Sequence, residues 1–259
     1  MLKKCCTRIR IFLSDQKMFT AFPFIWILLL FLQFPTYARQ ATKFDTTFTT
    51  EDKFTIAASL GMPDSIDKPL PAVILIHQGG SDRDEWNGFF DQLREQNYVV
   101  LAYDVRGHGQ STPVKNIYAL FNDPNQAPLD LKAAVRFLKS LEQVDPARIA
   151  LVGASIGGNL TGVGISKMGI KTAVAISGKT SAMKNLHGDG KLNLKSIFFI
   201  AADGDQGGKR TKWAKEMFAL TRDPRLLAIV KNSQSHGVSI FEDDPTVKDQ
   251  IIKWLKATL

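Results

Sequence analysis

Short apolar runs alternate with amphipathic segments along most of this chain. The runs are continuous, and many of their residues are β-branched or aromatic; they cover residues 53–60, 72–77, 98–103, 149–153, 172–177, 196–201 and 225–230. Continuous runs of this length are typical of strands that are buried on both faces of a sheet. We therefore predict a strand at each of them.

The segments between these runs carry apolar residues at helical spacing. Four such sets are Trp86, Phe89, Phe90 and Leu93; Leu131, Ala134, Val135, Leu138 and Leu141; Trp213, Met217 and Leu220; and Ile251, Ile252 and Leu255. Stripes of this kind usually pack a helix onto a core. The alternation predicts an α/β fold, with a mostly parallel sheet and helices on both faces. Ligands bind such sheets at the carboxyl ends of the strands, so the loops after the runs are searched first.

The first forty residues depart from this pattern. Five basic residues and an apolar run of 12 residues at 21–32 precede Thr36-Tyr37-Ala38, which resembles a small-residue cleavage site. The apolar run is shorter than the roughly 18 residues of a membrane span. We expect a signal peptide over residues 1–38, followed by one domain at 39–259 that is secreted or periplasmic. The alternatives are an uncleaved N-terminal membrane anchor and a translation start at Met18.

Much of the positive charge lies in this N-terminal segment. The whole chain has a net charge of +8, and residues 1–38 hold five Lys or Arg and one Asp, which leaves +4 for the remainder. No basic stripe remains to follow a phosphate backbone, so we expect no nucleic-acid partner. Cys5 and Cys6 lie in the same segment. The domain after it therefore has no disulfide, thiolate metal site or cysteine nucleophile.

A serine flanked by glycines follows the apolar run at 149–153. The stretch Gly153-Ala154-Ser155-Ile156-Gly157 leads into a helical segment at 157–167. One interpretation is a plain turn. The context of strand, turn and helix favours a nucleophile on a strained corner, with Ser155 as the attacking residue.

The same loops offer a base and an acid for this serine. A serine hydroxyl needs a base to take its proton, imidazole titrates near neutral pH, and a carboxylate orients the imidazole. With the chain order serine, acid, histidine, His77 and His108 come too early, and His187 precedes the strand that carries the acids. His236 therefore remains as the base, against the alternative of a surface histidine in a polar loop.

Two acids follow the run at 196–201, namely Asp203 and Asp205. Asp205 lies further into the loop and is favoured as the partner of His236, whereas Asp203 suits a role in capping its own loop. Glu216 falls on a helical face, and Asp189 precedes the strand.

These motifs together resemble those of the α/β-hydrolase superfamily, and within it the compact dienelactone-hydrolase-like serine esterases. The resemblance rests on HQGG at 77–80, DVRGHGQS at 104–111, VDPARIALVGASIGGN at 144–159, the acid loop and the His-Gly loop. It implies an eight-stranded sheet and a triad of Ser155, Asp205 and His236. It also implies an oxyanion hole from two backbone amides, that of Ile156 and that of Gly79, with Gln78 as the alternative to Gly79.

The chain departs from the family pattern in two places. In the family, a His-Gly pair usually stands at the end of the strand predicted at 72–77. This chain has His77-Gln78 there, so Gln78 is a candidate substrate-binding residue. Dienelactone hydrolases use a cysteine nucleophile, so their lactone substrate is not expected here. Asp104, Arg106 and His108 belong to a family loop motif that is mainly structural, and we expect an Asp–Arg pair to support that loop.

The connection between Ser177 and Ser196 is 18 residues long, which is too short for the helical lid domain of many relatives. We therefore expect an open, shallow site for small or accessible soluble esters. The alternatives are a peptidase or amidase with the same triad, and a binding protein that has lost the chemistry. No metal-ligand spacing or phosphate-binding glycine loop is present, so we expect no metal and no cofactor.

Overall fold

A computed structural model describes residues 42–259. The predicted signal peptide and its two cysteines lie outside the described residues, and so does the predicted boundary after Ala38. Within the described range, no helix combines the length and apolarity that crossing a membrane requires.

Eight strands form a single sheet. In chain order they are β1 (Thr42–Thr49), β2 (Thr55–Met62), β3 (Leu70–Ile76), β4 (Val99–Tyr103), β5 (Val144–Ala154), β6 (Thr172–Ile176), β7 (Lys195–Ala202) and β8 (Arg222–Val230). Their spatial order is β1-β2-β4-β3-β5-β6-β7-β8. β2 pairs antiparallel with β1 and β4, and all the other neighbours are parallel. The predicted mostly parallel, eight-stranded sheet is confirmed.

The apolar runs predicted β2 to β8, whose ends differ from them by a few residues. β1 was not predicted from the pattern. Its sequence, TKFDTTFT, has only two apolar residues, and it lies at the edge of the sheet, where one side needs no burial.

Seven α-helices of residues 42–259 cover the two faces of the sheet. They are α1 (Asn87–Glu95), α2 (Ala127–Lys139), α3 (Ile156–Lys167), α4 (Thr180–His187), α5 (Lys209–Leu220), α6 (Ile240–Asp243) and α7 (Thr246–Thr258). Alternate residues of the strands enter two separate cores. Ile74 and Ile76 of β3 pack with α2 to α5, whereas Val73 and Leu75 pack with α1, α6 and α7.

The connection between β6 and β7 contains only the eight-residue helix α4. The absence of a lid domain is thus confirmed within residues 42–259. The loops after β3, β5, β6, β7 and β8, which are neighbours in the sheet, end at the same edge and bring their residues together.

Candidate active site

Ser155 occupies the corner between β5 and α3. Its backbone has φ +51° and ψ −106°, a left-handed conformation that a non-glycine residue adopts only when its surroundings hold it there. Its N–H donates to the Ile176 carbonyl at 2.8 Å, which ties the corner to β6. Ser155 is half-buried, so the hydroxyl remains accessible beside the sheet.

The glycines beside Ser155 are explained by close backbone approach. A Cβ on Gly157 would collide with the Ile76 carbonyl of β3, and one on Gly153 would collide with the Gly157 carbonyl. Only glycine permits this contact between the start of α3 and two neighbouring strands. The spacing of glycines two residues on either side of the serine therefore has a steric cause.

Asp205 and His236 are hydrogen-bonded across the ends of β7 and β8. His236 Nδ1 lies 2.8 Å from Asp205 Oδ2, and the Asp205 side chain is only 2% exposed, against 33% for His236. A buried carboxylate at Nδ1 leaves Nε2 as the ring nitrogen available to a nucleophile.

Asp203, the alternative acid, caps the loop after β8 that carries His236, and not its own loop as predicted. It accepts hydrogen bonds from the amides of Asn232 and Ser233, both at 3.2 Å. These two bonds, with that of Asn232 first, hold the pKa of Asp203 below its ordinary value. The structure thus places Asp205, and not Asp203, against His236.

The histidine loop lies beside the nucleophile corner. A Cβ on Gly237 would lie 3.4 Å from the Cβ of Ala154, so the residues next to His236 and Ser155 are close neighbours. No hydrogen bond joins the Ser155 hydroxyl to His236 in the described part of the chain. Such bonds often form only in the substrate complex.

Ser177, which ends the predicted run at 172–177, is a site residue that the sequence reasoning missed. Its hydroxyl donates to Asp205 Oδ2 at 2.8 Å and accepts from the Gly237 N–H at 3.1 Å. Arg210 donates to the Ser177 carbonyl at 2.7 Å from a buried position. Ser177 therefore links the acid to the histidine loop. No sequence motif marks it, although its position just after an apolar strand was a usable signal.

Most of the peptide groups in the loop after β3, residues 77–81, form hydrogen bonds. The Gln78 N–H donates to Glu85 Oε1 at 2.9 Å, and the Ser81 N–H donates to the Gln78 carbonyl at 3.3 Å. The peptide on each side of Gln78 is therefore fixed, and its N–H is not available to a substrate.

Gly79 presents the free amide of this loop. The Gly80 N–H donates to His108 Nε2 at 3.2 Å. Among residues 78–81, the Gly79 N–H is thus the one that has no hydrogen-bond partner in the described part of the chain. Gly79 is exposed, and a Cβ placed on it would lie 3.0 Å from the Phe121 ring. Ile156 supplies a second free amide, because the first turn of a helix has no intrahelical acceptor. These contacts favour Gly79 over Gln78 for the predicted oxyanion hole.

The Gln78 side chain, predicted to bind substrate, lies against the histidine loop. A Cβ on Gly237 would overlap its Oε1 atom, and this oxygen is buried with no hydrogen-bond partner in the described residues. The structure therefore places this atom behind His236 and Gly237, and substrate binding by Gln78 stays a prediction.

His77 is a buried structural residue at the end of β3. Nε2 accepts from the Val105 N–H at 2.9 Å, so the proton lies on Nδ1, which donates to the Gln78 carbonyl at 2.7 Å. Burial lowers the pKa of His77 to about 4. The ring is therefore neutral at physiological pH and holds the loop in place.

Asp104 and Arg106 pair with other residues and not with each other. Asp104 is fully buried and accepts from Arg83, from both its backbone N–H and its guanidinium, and from the Gln110 N–H at 2.8 Å. The predicted Asp–Arg support of this loop exists, but each member has a partner from a distant segment.

Arg106 makes the second pair. Its Nε donates to Asp130 Oδ1 at 2.7 Å, its backbone N–H donates to Asp130 Oδ2 at 2.9 Å, and its two terminal nitrogens reach Asp52. We call Asp104, Arg83, Arg106, Asp130 and Asp52 the arginine cluster. It lies behind the loops of the site and supports their backbone.

No group of three or more His, Cys, Asp or Glu side chains suited to a metal ion occurs in residues 42–259.

Comparison with known proteins gives matches to part of the sequence and to most of the fold. A profile described as alpha/beta hydrolase fold matches residues 71–163. An AB hydrolase superfamily protein of Gibberella zeae is 35% identical over 92 residues, which are 34% of this chain and 28% of that protein. The chain spans about a quarter of the length of the curated relatives that it matches.

Two solved esterase structures share the fold. An esterase of Pyrococcus furiosus superposes with a TM-score of 0.67 at 21% identity, covering 84% of this chain and 93% of its own. An acetyl xylan esterase of a Paenibacillus species gives 0.66 at 16% identity, covering 88% and 86%. At these identities the likeness concerns the fold. The predicted α/β-hydrolase fold is confirmed, and the dienelactone-hydrolase-like subtype stays a prediction.

Proposed function

We propose, on the premise that this chain belongs to the α/β-hydrolase superfamily, that it is a serine hydrolase that cleaves carboxylic esters. The observation that carries the proposal is the hydrogen bond from His236 Nδ1 to the buried Asp205 carboxylate, in a loop that lies beside the strained corner at Ser155. The esterases among the structural neighbours support ester substrates.

The proposed reaction has two halves. His236 Nε2 takes the proton of the Ser155 hydroxyl while the serine oxygen bonds to the acyl carbon, and the carbonyl electron pair moves to its oxygen. The amides of Ile156 and Gly79 stabilise this oxyanion. When the carbonyl reforms, the ester C–O bond breaks, and the alcohol leaves with the proton from His236. Water then attacks the acyl-enzyme in the same way, which releases the acid and restores Ser155.

Asp205 has a supporting part in both halves. It fixes the tautomer of His236 and stabilises the imidazolium ion that forms. The short connection that carries α4 favours small or accessible esters, because it leaves no cover for a long acyl chain. Together with the proposed signal peptide, this suggests a secreted or periplasmic enzyme acting on soluble esters.

A fluorophosphonate probe tests the proposal directly. We expect labelling of the 39–259 fragment at Ser155, and hydrolysis of p-nitrophenyl acetate that falls about 10⁴-fold or more in Ser155→Ala. Ser140→Ala changes an exposed serine directly after the C-terminus of α2; it serves as the control and is expected to match wild type.

Two other outcomes would replace the proposal. Comparable rates on matched p-nitroanilide substrates would indicate an amidase or peptidase. A folded protein with no labelling and no hydrolysis would indicate a binding protein on the same fold.

A further inference from the structure

Glu85 lies in the short 3₁₀ turn Arg83–Trp86, directly behind the loop that presents Gly79. Its Oε1 accepts the Gln78 N–H at 2.9 Å. Its Oε2 is buried and has no hydrogen-bond partner in residues 42–259. The reaction described above assigns no part to this carboxyl group.

The unpartnered oxygen indicates which form of the carboxyl group suits the site. An ionised carboxylate only accepts hydrogen bonds, and here one of its two oxygens has no donor. Burying a charge without such partners is costly. Accordingly, burial raises the pKa of Glu85 to about 7, and nearby Asp82 also raises it. The Ser81 hydroxyl, which lies near the carboxyl group without a hydrogen bond to Oε2, and the Gln78 amide lower it less. The neutral acid is therefore well populated at neutral pH.

The unpartnered oxygen of Gln78 also favours the neutral form of Glu85. Gln78 Oε1 is a buried acceptor that lacks a donor, and it belongs to the residue whose amide already binds Glu85. A protonated Glu85 supplies one donor to this region, whereas an ionised one leaves two buried acceptors without a donor. Gln78 Oε1 also lies beside Gly237, so Gln78 is next to both the Gly79 loop and the His236 loop.

Charge near the oxyanion gives the ionised form a second disadvantage. A negative charge behind the loop that binds the oxyanion opposes the negative charge that develops on the substrate. Repulsion between two like charges several ångströms apart near a protein surface changes a rate by about tenfold.

We propose that Glu85 is a positioning residue of the loop at 77–81 which acts as a neutral carboxylic acid. Through the Gln78 peptide it holds the Gly79 amide toward the reacting carbonyl, and ionisation of Glu85 lowers turnover. This proposal rests on the proposed ester hydrolysis.

The other charged groups near this turn either form ion pairs or hydrogen bonds, or are exposed to solvent. Arg83 is paired with Asp104 and reaches Asp45. Asp84 is largely exposed and lies near Lys43. Asp82 caps the turn by accepting from the Asp84 N–H.

The imidazoles that surround the loop also have defined partners. His77 is neutral, His108 accepts the Gly80 N–H, and His236 is bonded to Asp205. Among these groups, Glu85 is therefore the one whose ionisation is expected to lower activity as the pH rises.

The test is the pH dependence of kcat and KM for p-nitrophenyl acetate in wild type, Glu85→Gln and Asp84→Asn. For wild type we expect kcat to fall about tenfold as the pH rises through 7. Glu85→Gln keeps the acceptor for the Gln78 N–H and cannot ionise, so the fall at higher pH should disappear from kcat while KM changes little. Asp84→Asn removes an exposed charge one residue away and should retain the wild-type profile.

Two results would overturn the proposal: an unchanged fall at high pH in folded Glu85→Gln, or loss of activity in that variant at every pH. Infrared spectroscopy of wild type with ¹³C-labelled glutamate supplies a readout that does not need activity. A protonated carboxyl band that disappears near pH 7 and is missing in Glu85→Gln supports the proposal, and its absence at pH 5 to 6 overturns it. A protein without hydrolysis or probe labelling that still shows this band would refute the esterase function and leave the protonation of Glu85 intact.

Discussion

The arginine cluster and the edge around Ser155 both contain buried carboxylates, and they differ in how fully their polar atoms are paired. In the arginine cluster, every oxygen of Asp104 and Asp130 accepts a hydrogen bond from an arginine or a backbone amide. Around Ser155, by contrast, the Gly79 amide, Gln78 Oε1 and Glu85 Oε2 have no partner in the described residues. Saturated clusters hold loops in place, whereas unsaturated ones leave groups available for a reaction.

Replacing Asp205 with asparagine should produce the largest change. The amide would favour the wrong tautomer of His236, so we expect kcat for p-nitrophenyl acetate to fall about 10³- to 10⁴-fold, with the melting temperature little changed. Asp203→Asn is the matched control, because Asp203 does not bond His236 and accepts only from the amides of Asn232 and Ser233, which an asparagine oxygen can still do, so its kcat should fall less than about tenfold. Equal losses in the two variants would remove the distinction between them.

Replacing Asp130 with alanine should act on stability instead. The change leaves the buried Arg106 Nε and N–H without their acceptor, so the free energy of unfolding should fall by about 3–5 kcal/mol. Urea denaturation measures this, with Asp67→Ala, an exposed carboxylate, as the control. The kcat of the fraction that remains folded should stay near wild type, and a large drop in that kcat would contradict a purely structural part for this cluster.

Replacing Gly79 with alanine should have an intermediate effect on activity. The new Cβ would lie 3.0 Å from the Phe121 ring, which displaces the loop and its amide, so we expect kcat to fall about 10- to 100-fold. Phe121→Leu in the same chain should recover part of the loss. Gly88→Ala is the control, since nothing lies within 4 Å of its Cβ position. A wild-type kcat in Gly79→Ala would favour a donor other than Gly79.

Replacing Ser177 with alanine should have the smallest effect. Asp205 would lose one hydrogen bond but keep His236, so we expect kcat to fall about three- to tenfold at constant KM. Single-turnover kinetics with p-nitrophenyl acetate measure this step. A fall in kcat as large as that of Asp205→Asn would mean that Ser177 contributes as much to catalysis as Asp205.

Most of the sheet could be predicted because its strands are buried on both faces and therefore read as apolar runs. β1 could not, because its edge position requires few apolar residues, and only the family resemblance implied an eighth strand. The corner at Ser155 was also predictable, since the close approach of Gly157 to Ile76 excludes any residue but glycine.

The remaining parts of the site depend on contacts between distant segments. Asp203 and Asp205 are two residues apart in one loop, and the sequence could rank them only by position. Ser177 and Glu85 have no motif, because their importance comes from what the fold places beside them. The pairing of Asp104 with Arg83, instead of Arg106, is likewise a long-range contact that spacing does not reveal.

The adjacency of β3 and β5 has a consequence for how the proposed enzyme could change its substrate. Ile76 at the end of β3 pairs with Gly153 of β5, and the two proposed oxyanion donors, Gly79 and Ile156, follow these strands. The spacing of hydrogen-bonded strands, about 4.8 Å, thus sets where the two loops that carry the donors begin. Within the loop after β3, the proposed contact between Glu85 and the Gln78 N–H sets the direction of the Gly79 amide, so substitutions that leave this contact in place can change which ester enters without moving the donors.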